Sequence, residues 1–142
     1  MEQKIPVKKI MVKNIVSVDS SQTIEDVAKK LYEKRVGSAI VIEDNKPIGI
    51  ITNRDIVSSI GSFEMLLNAP AKKIMSTPLI HVKPDDSIID VAEIMTSKNI
   101  RKIPVIVNDQ VLGIVSASDL VAIFTMLKKE DLLEIFRPYL KD

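Results

Sequence analysis

The sequence predicts an α/β (α+β) fold made of two tandem repeats, each running strand, helix, strand, strand, helix. Three observations carry that prediction. A shift of 64 residues lays Lys8–Val57 on Lys72–Val121 without a gap, so that Lys9-Ile10-Met11 meets Lys73-Ile74-Met75 and Asp26-Val27-Ala28 meets Asp90-Val91-Ala92. Within each repeat the hydrophobic period switches between the alternation of a strand and the spacing of a helix. Each repeat also closes on the same septet, "GIITNRD" at Gly49–Asp55 and "GIVSASD" at Gly113–Asp119: glycine, two aliphatics, a hydroxyl residue, two variable positions and an aspartate. The period is longer than the roughly 20 to 50 residues of solenoid repeats, which marks a duplicated small domain rather than an array. Each half is near the size at which a lone core becomes marginal, so the halves are expected to bury a shared interface in one two-lobed unit. The expected division is residues 1–62, residues 63–124 and a C-terminal helical extension, residues 125–142.

In the first repeat "NIVSV" alternates as a short strand. Ile24, Val27, Ala28, Leu31 and Tyr32 then fall at i, i+3, i+4, i+7 and i+8, one apolar face of a helix. Thr23 with Asp26 three positions on has the spacing of a capping box, and Ser87 with Asp90 repeats it. Gly37 is expected to stop this first helix. Two aliphatic runs follow, "SAIVI" and "PIGII", joined across Asp44-Asn45, residues that tolerate the backbone angles of a tight hairpin turn. Their counterparts are "IPVIV", Asn108-Asp109 and "VLGIV". Pro104 lies inside one of these runs and has no N–H to give to a ladder, which predicts an edge or strand-start position. A second helix follows each septet, "DIVSSI" in the first repeat and the single longer "DLVAIFTMLKKEDLLEIFRPYL" in the second, with Pro138 near its end. Leu127, Leu132, Leu133, Ile135, Phe136 and Leu140 make that last stretch more apolar than a lone surface helix requires. Its stripe is expected to fold back on the module or to meet a second copy.

Composition narrows the function. Of the 142 residues, 46% are hydrophobic, enough to bury a core. Charged residues make up 27% but balance to +1, which gives no general attraction to nucleic acid or anionic lipid. Aromatics at 4% offer no stacking platform for bases. The absence of cysteine excludes disulfides, thiolate metal sites and cysteine nucleophiles, and fits a reducing compartment. Apolar runs are short and "MEQKIPVKKIM" lacks the long apolar stretch of a secretion signal, so a cytoplasmic protein away from membranes is expected. His81, the sole histidine, matches Ser17 across the repeat, and a surface or rim position is expected rather than a metal or catalytic role. Asp85-Asp86 and Glu130-Asp131 stand next to helix starts, where the dipole accounts for them, and the six methionines fit core filling. With no paired histidine and no metal-ligand cluster, an enzyme is not expected.

The septet has its own chemistry. Glycine inside an aliphatic strand points to close approach by a ligand or by another backbone. The hydroxyls of Thr52 and Ser116 fall at helix starts, where free N–H groups and the positive end of the dipole favour a phosphate. Asp55 and Asp119 lie one turn further in, and an ionised carboxylate accepts hydrogen bonds in a way that suits the two hydroxyls of a ribose. The same Thr52-to-Asp55 and Ser116-to-Asp119 spacing also suits a capping box that does nothing but tie down a helix end.

Two such repeats, each with a "KIM" opening and a G-h-x-[S/T]-x-x-D close, resemble the CBS domain family over nearly the whole chain. A tandem pair resembles a Bateman module, which implies two sheets packed with pseudo-twofold symmetry and two clefts between them. The resemblance implies adenosine-containing regulatory ligands, AMP, ADP, ATP or S-adenosylmethionine, and no catalytic cofactor. It implies an adenine slot along the first strand of each repeat, Ile15-Val16 in one cleft and Leu79-Ile80 in the other, residues that core packing explains equally well. It further implies that the start of the second strand in one repeat faces the phosphate held by the other. On that carry-over Arg101 and Lys102, with Arg54 beside the site, serve the cleft of Thr52 and Asp55. Gly37 and Ser38, with Ser118, serve the cleft of Ser116 and Asp119. Each charge-assisted phosphate contact contributes about 1.5 to 3 kcal/mol, so the Asp55 cleft is expected to prefer more highly phosphorylated ligands. The other reading of Arg101 and Lys102 is a pair of solvated charges after a helix. Modules of this family often pair through their helices, so a homodimer is expected. The implied function is ligand sensing, with occupancy passed to an unidentified effector protein or across the dimer. The alternative is an assembly module that keeps the fold and has lost the ligand.

Overall fold

The computed structural model describes residues 5–61 and 67–140, so the expected boundary between residues 62 and 63 lies outside the described residues. The first repeat contains β1 (Ser17–Asp19), α1 (Ile24–Lys34), β2 (Ser38–Glu43), β3 (Lys46–Thr52) and α2 (Asn53–Gly61). The second contains α3 (Ile88–Lys98), β4 (Lys102–Val107), β5 (Gln110–Ser116) and α4 (Ala117–Phe124), and α5 (Lys129–Phe136) follows. Helices and strands mix in two copies of one unit, as the α/β (α+β) prediction requires. The hairpins β2-β3 and β4-β5 turn on Asp44 and Asn45, at φ 51° and 65°, and on Asn108 and Asp109, at 50° and 63°. These are short polar side chains that tolerate the left-handed region.

The two sheets differ at one edge. β1 runs parallel to β2, fastened by the Ile40 N–H donating to the Val16 carbonyl at 2.9 Å. Pro104 occupies the position of Ile40 in the second repeat and has no hydrogen to donate. There the counterpart of β1 shrinks to a single bridge between Val82 and Val105. Pro104 therefore sits in the middle of β4, fully buried, and not at a strand start; its edge is the weakly paired one.

Three other expectations change. α1 buries Ile24, Val27 and Leu31, but Tyr32 is 86% exposed. Eight steps of about 100° carry Tyr32 roughly 80° around the helix from Ile24, off the flank of the stripe. The stop for α1 is Arg35 rather than Gly37: Arg35 adopts φ 54°, and its N–H donates to the Leu31 and Tyr32 carbonyls. Asn99 does the same for α3 at φ 53°. The long C-terminal helix is two helices. α4 ends at Phe124, the Thr125 hydroxyl donates to the Ala122 carbonyl at 2.7 Å, and Lys128 is extended before α5 begins. Glu130 and Asp131 fall in the first turn of α5, and Pro138 lies in a 3-10 turn, Arg137–Tyr139. Phe136 meets Phe124 edge to face with centroids 5.3 Å apart, so the tail folds back on its own module. Leu133 and Leu140 stay exposed, and the Ile135 side chain lies outside the described set.

What joins the repeats is a reciprocal exchange of their openings. The Val7 N–H donates to the Asp86 carbonyl at 2.7 Å, the Ile88 N–H to Ile5 at 2.9 Å, and Val12 bridges Ile114 in the second repeat. In return the Ala71 N–H donates to Gln22 at 2.7 Å, the Ile24 N–H to Ala69 at 2.9 Å, and Ser76 bridges Ile50 in the first. Each core is completed by the other's segment. One gathers Val16, Val18, Val27, Leu31, Ala39, Val41 and Ile51 with Ala71, and the other gathers Val82, Val91, Met95, Ile103, Val105 and Val115 with Val7.

Candidate functional site

The two septets lie at the matching junctions β3-to-α2 and β5-to-α4, and both build the capping arrangement. The Ser116 N–H donates to Asp119 Oδ2 at 2.8 Å and the Asp119 N–H to Ser116 Oγ at 3.1 Å. The Thr52 N–H donates to Asp55 Oδ2 at 2.9 Å, the Thr52 hydroxyl to the same oxygen at 3.2 Å, and the Asp55 N–H to Thr52 Oγ1 at 3.4 Å. One carboxylate oxygen of each aspartate is thus committed to a helix start, and all four side chains are half-buried.

The second oxygens differ. Asp55 Oδ1 accepts from Ser76 Oγ at 2.9 Å, a hydroxyl carried in by the crossing segment of the other repeat. Val12 holds the corresponding place in the second repeat and has no hydroxyl to offer. The second oxygen of Asp119 has no hydrogen-bond partner among the described residues. Sequence reasoning missed Ser76, whose signal was a mismatch: a hydroxyl against an aliphatic inside an otherwise matching pair of segments.

The glycines answer to the crossing segments. A Cβ on Gly49 would stand 2.6 Å from Met75 Sδ and 3.1 Å from the Ser76 carbonyl oxygen, and one on Gly113 would stand 2.7 Å from Met11 Cγ. Another backbone comes close only at Gly49, through the Ser76 carbonyl; at Gly113 it is the Met11 side chain that does.

Lys102 spans the interface. A Cβ on Gly37 would lie 2.6 Å from Lys102 Nζ and 3.3 Å from Asn53 Nδ2, so this amine from the second repeat reaches the first turn of α2 in the first. Burial pushes its pKa down from the ordinary lysine value, and the Asp119 carboxylate pushes it back up. Its ammonium has no hydrogen-bond or ion-pair partner among the described residues. Arg54, Arg101 and Ser118 are exposed, whereas Ser38 is buried opposite Thr52 in the ladder. The Gly37 and Arg101 carbonyls accept from the Asn53 and Ala117 N–H groups at 3.1 and 2.8 Å, tying each strand start to its own helix start. Val16 is buried in the first core, while Ile15, Leu79 and Ile80 are half-buried.

Away from the septets, an open groove of about 680 Å³ runs between α1 and α2, lined by Leu31, Tyr32, Val36, Asn53, Ile56 and Val57 among others. His81 is exposed. Among the described residues no helix is long and apolar enough to cross a membrane.

Known proteins are similar to this chain in sequence and in fold. A CBS domain-containing protein of Bacillus subtilis, YhcV, is 30% identical over 114 residues, 80% of this chain and 81% of its own. A protein of Methanocaldococcus jannaschii is 29% identical over 143 residues, 91% of this chain, and this chain spans 34% of its length. The crystal structure of the CBS domain pair of protein MJ0100, in complex with 5′-methylthioadenosine and S-adenosyl-L-methionine, superposes with a TM-score of 0.80 at 26% identity, covering 89% of this chain and 100% of that one. The sequence model of the CBS domain matches twice, over residues 7–62 and 71–125. The chain is a tandem CBS pair and belongs to the CBS domain family.

Proposed function

We propose that the chain is a regulatory, non-catalytic module that takes an adenosine-containing ligand between its repeats and passes occupancy to a partner protein or a second copy. The observation that carries this reading is the Asp119 carboxylate, held by its capping box with one oxygen open. Such an oxygen accepts and does not donate, which suits the paired hydroxyls of a ribose. The Lys102 amine, at the first turn of α2 and with no hydrogen-bond or ion-pair partner among the described residues, suits an anionic end and supports AMP, ADP or ATP as ligands, with the exposed Arg54 and Arg101 proposed to add to it. The methylthioadenosine and S-adenosylmethionine in the related pair support the adenosine class. Leu79 and Ile80, half-buried, remain the proposed adenine wall beside Asp119, and Ile15 that beside Asp55. A cytoplasmic setting, where these compounds are abundant, belongs to the same reading.

A thermal-shift screen of AMP, ADP, ATP, S-adenosylmethionine and 5′-methylthioadenosine tests it. A compound at a hundred times its Kd adds about 2.7 kcal/mol of stability, which raises Tm by roughly 5 to 10 °C for a chain of this length. Asp119→Asn, which keeps a capping oxygen and removes the charge, is expected to lose that shift. Five compounds that all leave Tm unmoved would sink the proposal.

One observation favours a second reading, an assembly role. Val57 and Ile60 of α2 are 67% and 56% exposed beside the α1–α2 groove, a face suited to pairing into a homodimer. Light scattering that returns a monomer at every concentration rejects it.

A further inference from the structure

We propose that Ser76 is an internal competitor for the Asp55 cleft, so that the two clefts bind unequally and the Asp119 cleft fills first. The inference rests on the adenosine-binding reading above and goes beyond it, because it says which cleft is open and what closes the other. Both aspartates give one oxygen to their own helix start. The second oxygen of Asp55 is occupied by the Ser76 hydroxyl at 2.9 Å, and nothing described occupies that of Asp119. A ribose hydroxyl arriving at Asp55 has to displace a hydrogen bond of the same chemical kind, one whose donor is already held in place.

The geometry that holds the donor is specific. Ser76 is fastened to β3 by two backbone bonds, its N–H to the Ile50 carbonyl at 2.8 Å and the Ile50 N–H to its own carbonyl at 3.3 Å. Val12 makes the same two bonds to Ile114 at 2.8 and 2.9 Å. Side chains at 12 and 76 therefore leave equivalent points of the two sheets, and the difference between them is a hydroxyl against an aliphatic group. The hydroxyl competes for the sugar end of a ligand only. Lys102, whose amine reaches the first turn of α2 and feels the Asp119 carboxylate, is untouched by it, so the sugar contact of the Asp55 cleft is taken while the anion contact between the repeats is not.

The test is isothermal titration of the whole chain with 5′-methylthioadenosine and, separately, AMP. The first probe carries the ribose hydroxyls without a phosphate and isolates the carboxylate contact; the second adds the anion. Wild type is expected to bind one equivalent tightly, lost in Asp119→Asn and kept in Asp55→Asn. Ser76→Val is expected to add a second equivalent by tightening the Asp55 cleft about tenfold or more. Val12→Ser, the reciprocal change, is expected to weaken the Asp119 equivalent by a similar factor. Each variant is paired with a thermal melt, and Ser76→Ala stands in should the valine fail to fold. Two equal equivalents in wild type, a single equivalent lost in Asp55→Asn, or a Ser76 variant that still binds one would each overturn this inference and leave the adenosine-binding reading standing. No binding of either probe by wild type and both Ser76 variants would overturn the two together.

Discussion

A lysine half out of water without a direct ion pair costs the fold something, and at Lys102 that cost has a definite pH dependence. Burial disfavours the charged amine, so its folded pKa lies below the value of 10.5 that it has in an open chain, the pull of Asp119 notwithstanding. The unfolded chain then holds this proton more tightly than the folded one, and the linkage makes stability rise with pH across the window between the two values. Below the folded value the cost is present in full. Lys102→Met is therefore expected to melt higher than wild type at neutral pH, with the gain shrinking as pH climbs toward 10.5. The same variant is expected to lose part of any shift produced by ATP, since the anion contact goes with the charge. Paired melts from neutral to alkaline pH check it, and a variant less stable than wild type at neutral pH refutes it. Residues of this kind were only half legible. The septet hydroxyls and carboxylates announce a helix start through local spacing, which any single strand-to-helix junction displays. Ser76 on Asp55 is a contact across repeats, made by residues 21 apart in the chain, and no local pattern records it.

The crossing segments decide what each element tolerates. Gly113 sits in β5 where Val12 and Met11 pass over it, and an added Cβ would come 2.7 Å from Met11 Cγ and 3.1 Å from Met11 Cβ. Overpacking of this sort costs about 1 to 3 kcal/mol, so Gly113→Ala should lower the unfolding free energy read from a urea titration by that amount. Met11→Ala opens the space again, and the double variant is expected to lose less than the sum of the single ones. Strict additivity would mean that Met11 is not what the glycine makes room for. Elements whose signals are local were readable beforehand: the capping boxes of α1 and α4, and the hairpin turns on Asp44-Asn45 and Asn108-Asp109. Elements whose limits depend on distant partners were not. β1 begins at Ser17 because that is where β2 meets it, and its copy fades because Pro104 withholds one hydrogen. The break between α4 and α5 follows from Phe136 returning to Phe124, a contact that periodicity alone does not reveal.

At the scale of the molecule, the repeats seen in sequence and the cores seen in space do not coincide. Val7 is fully buried among residues of the second repeat, and Ala71 is fully buried among residues of the first. Met75 and Met11 pack over the partner's glycine in the same reciprocal way. Cutting the chain in the region after α2 therefore removes from each half a piece of its own core and leaves it carrying a piece of the other's. Burial of a valine of this kind stabilises by about 1.5 to 3 kcal/mol, a large share of the stability of a half that is marginal by size alone. The fragments 1–66 and 67–142 are accordingly expected to be unfolded when separate and to regain native amide dispersion when mixed, with Val7→Asp in the first fragment preventing β4 and β5 from ordering in the second. A native-like spectrum from either fragment alone would show that the exchanged segments are accessories. If they are not, the two lobes fold as one cooperative body, and the crossing strand that brings Ser76 to Asp55 is also a strand on which that folding depends.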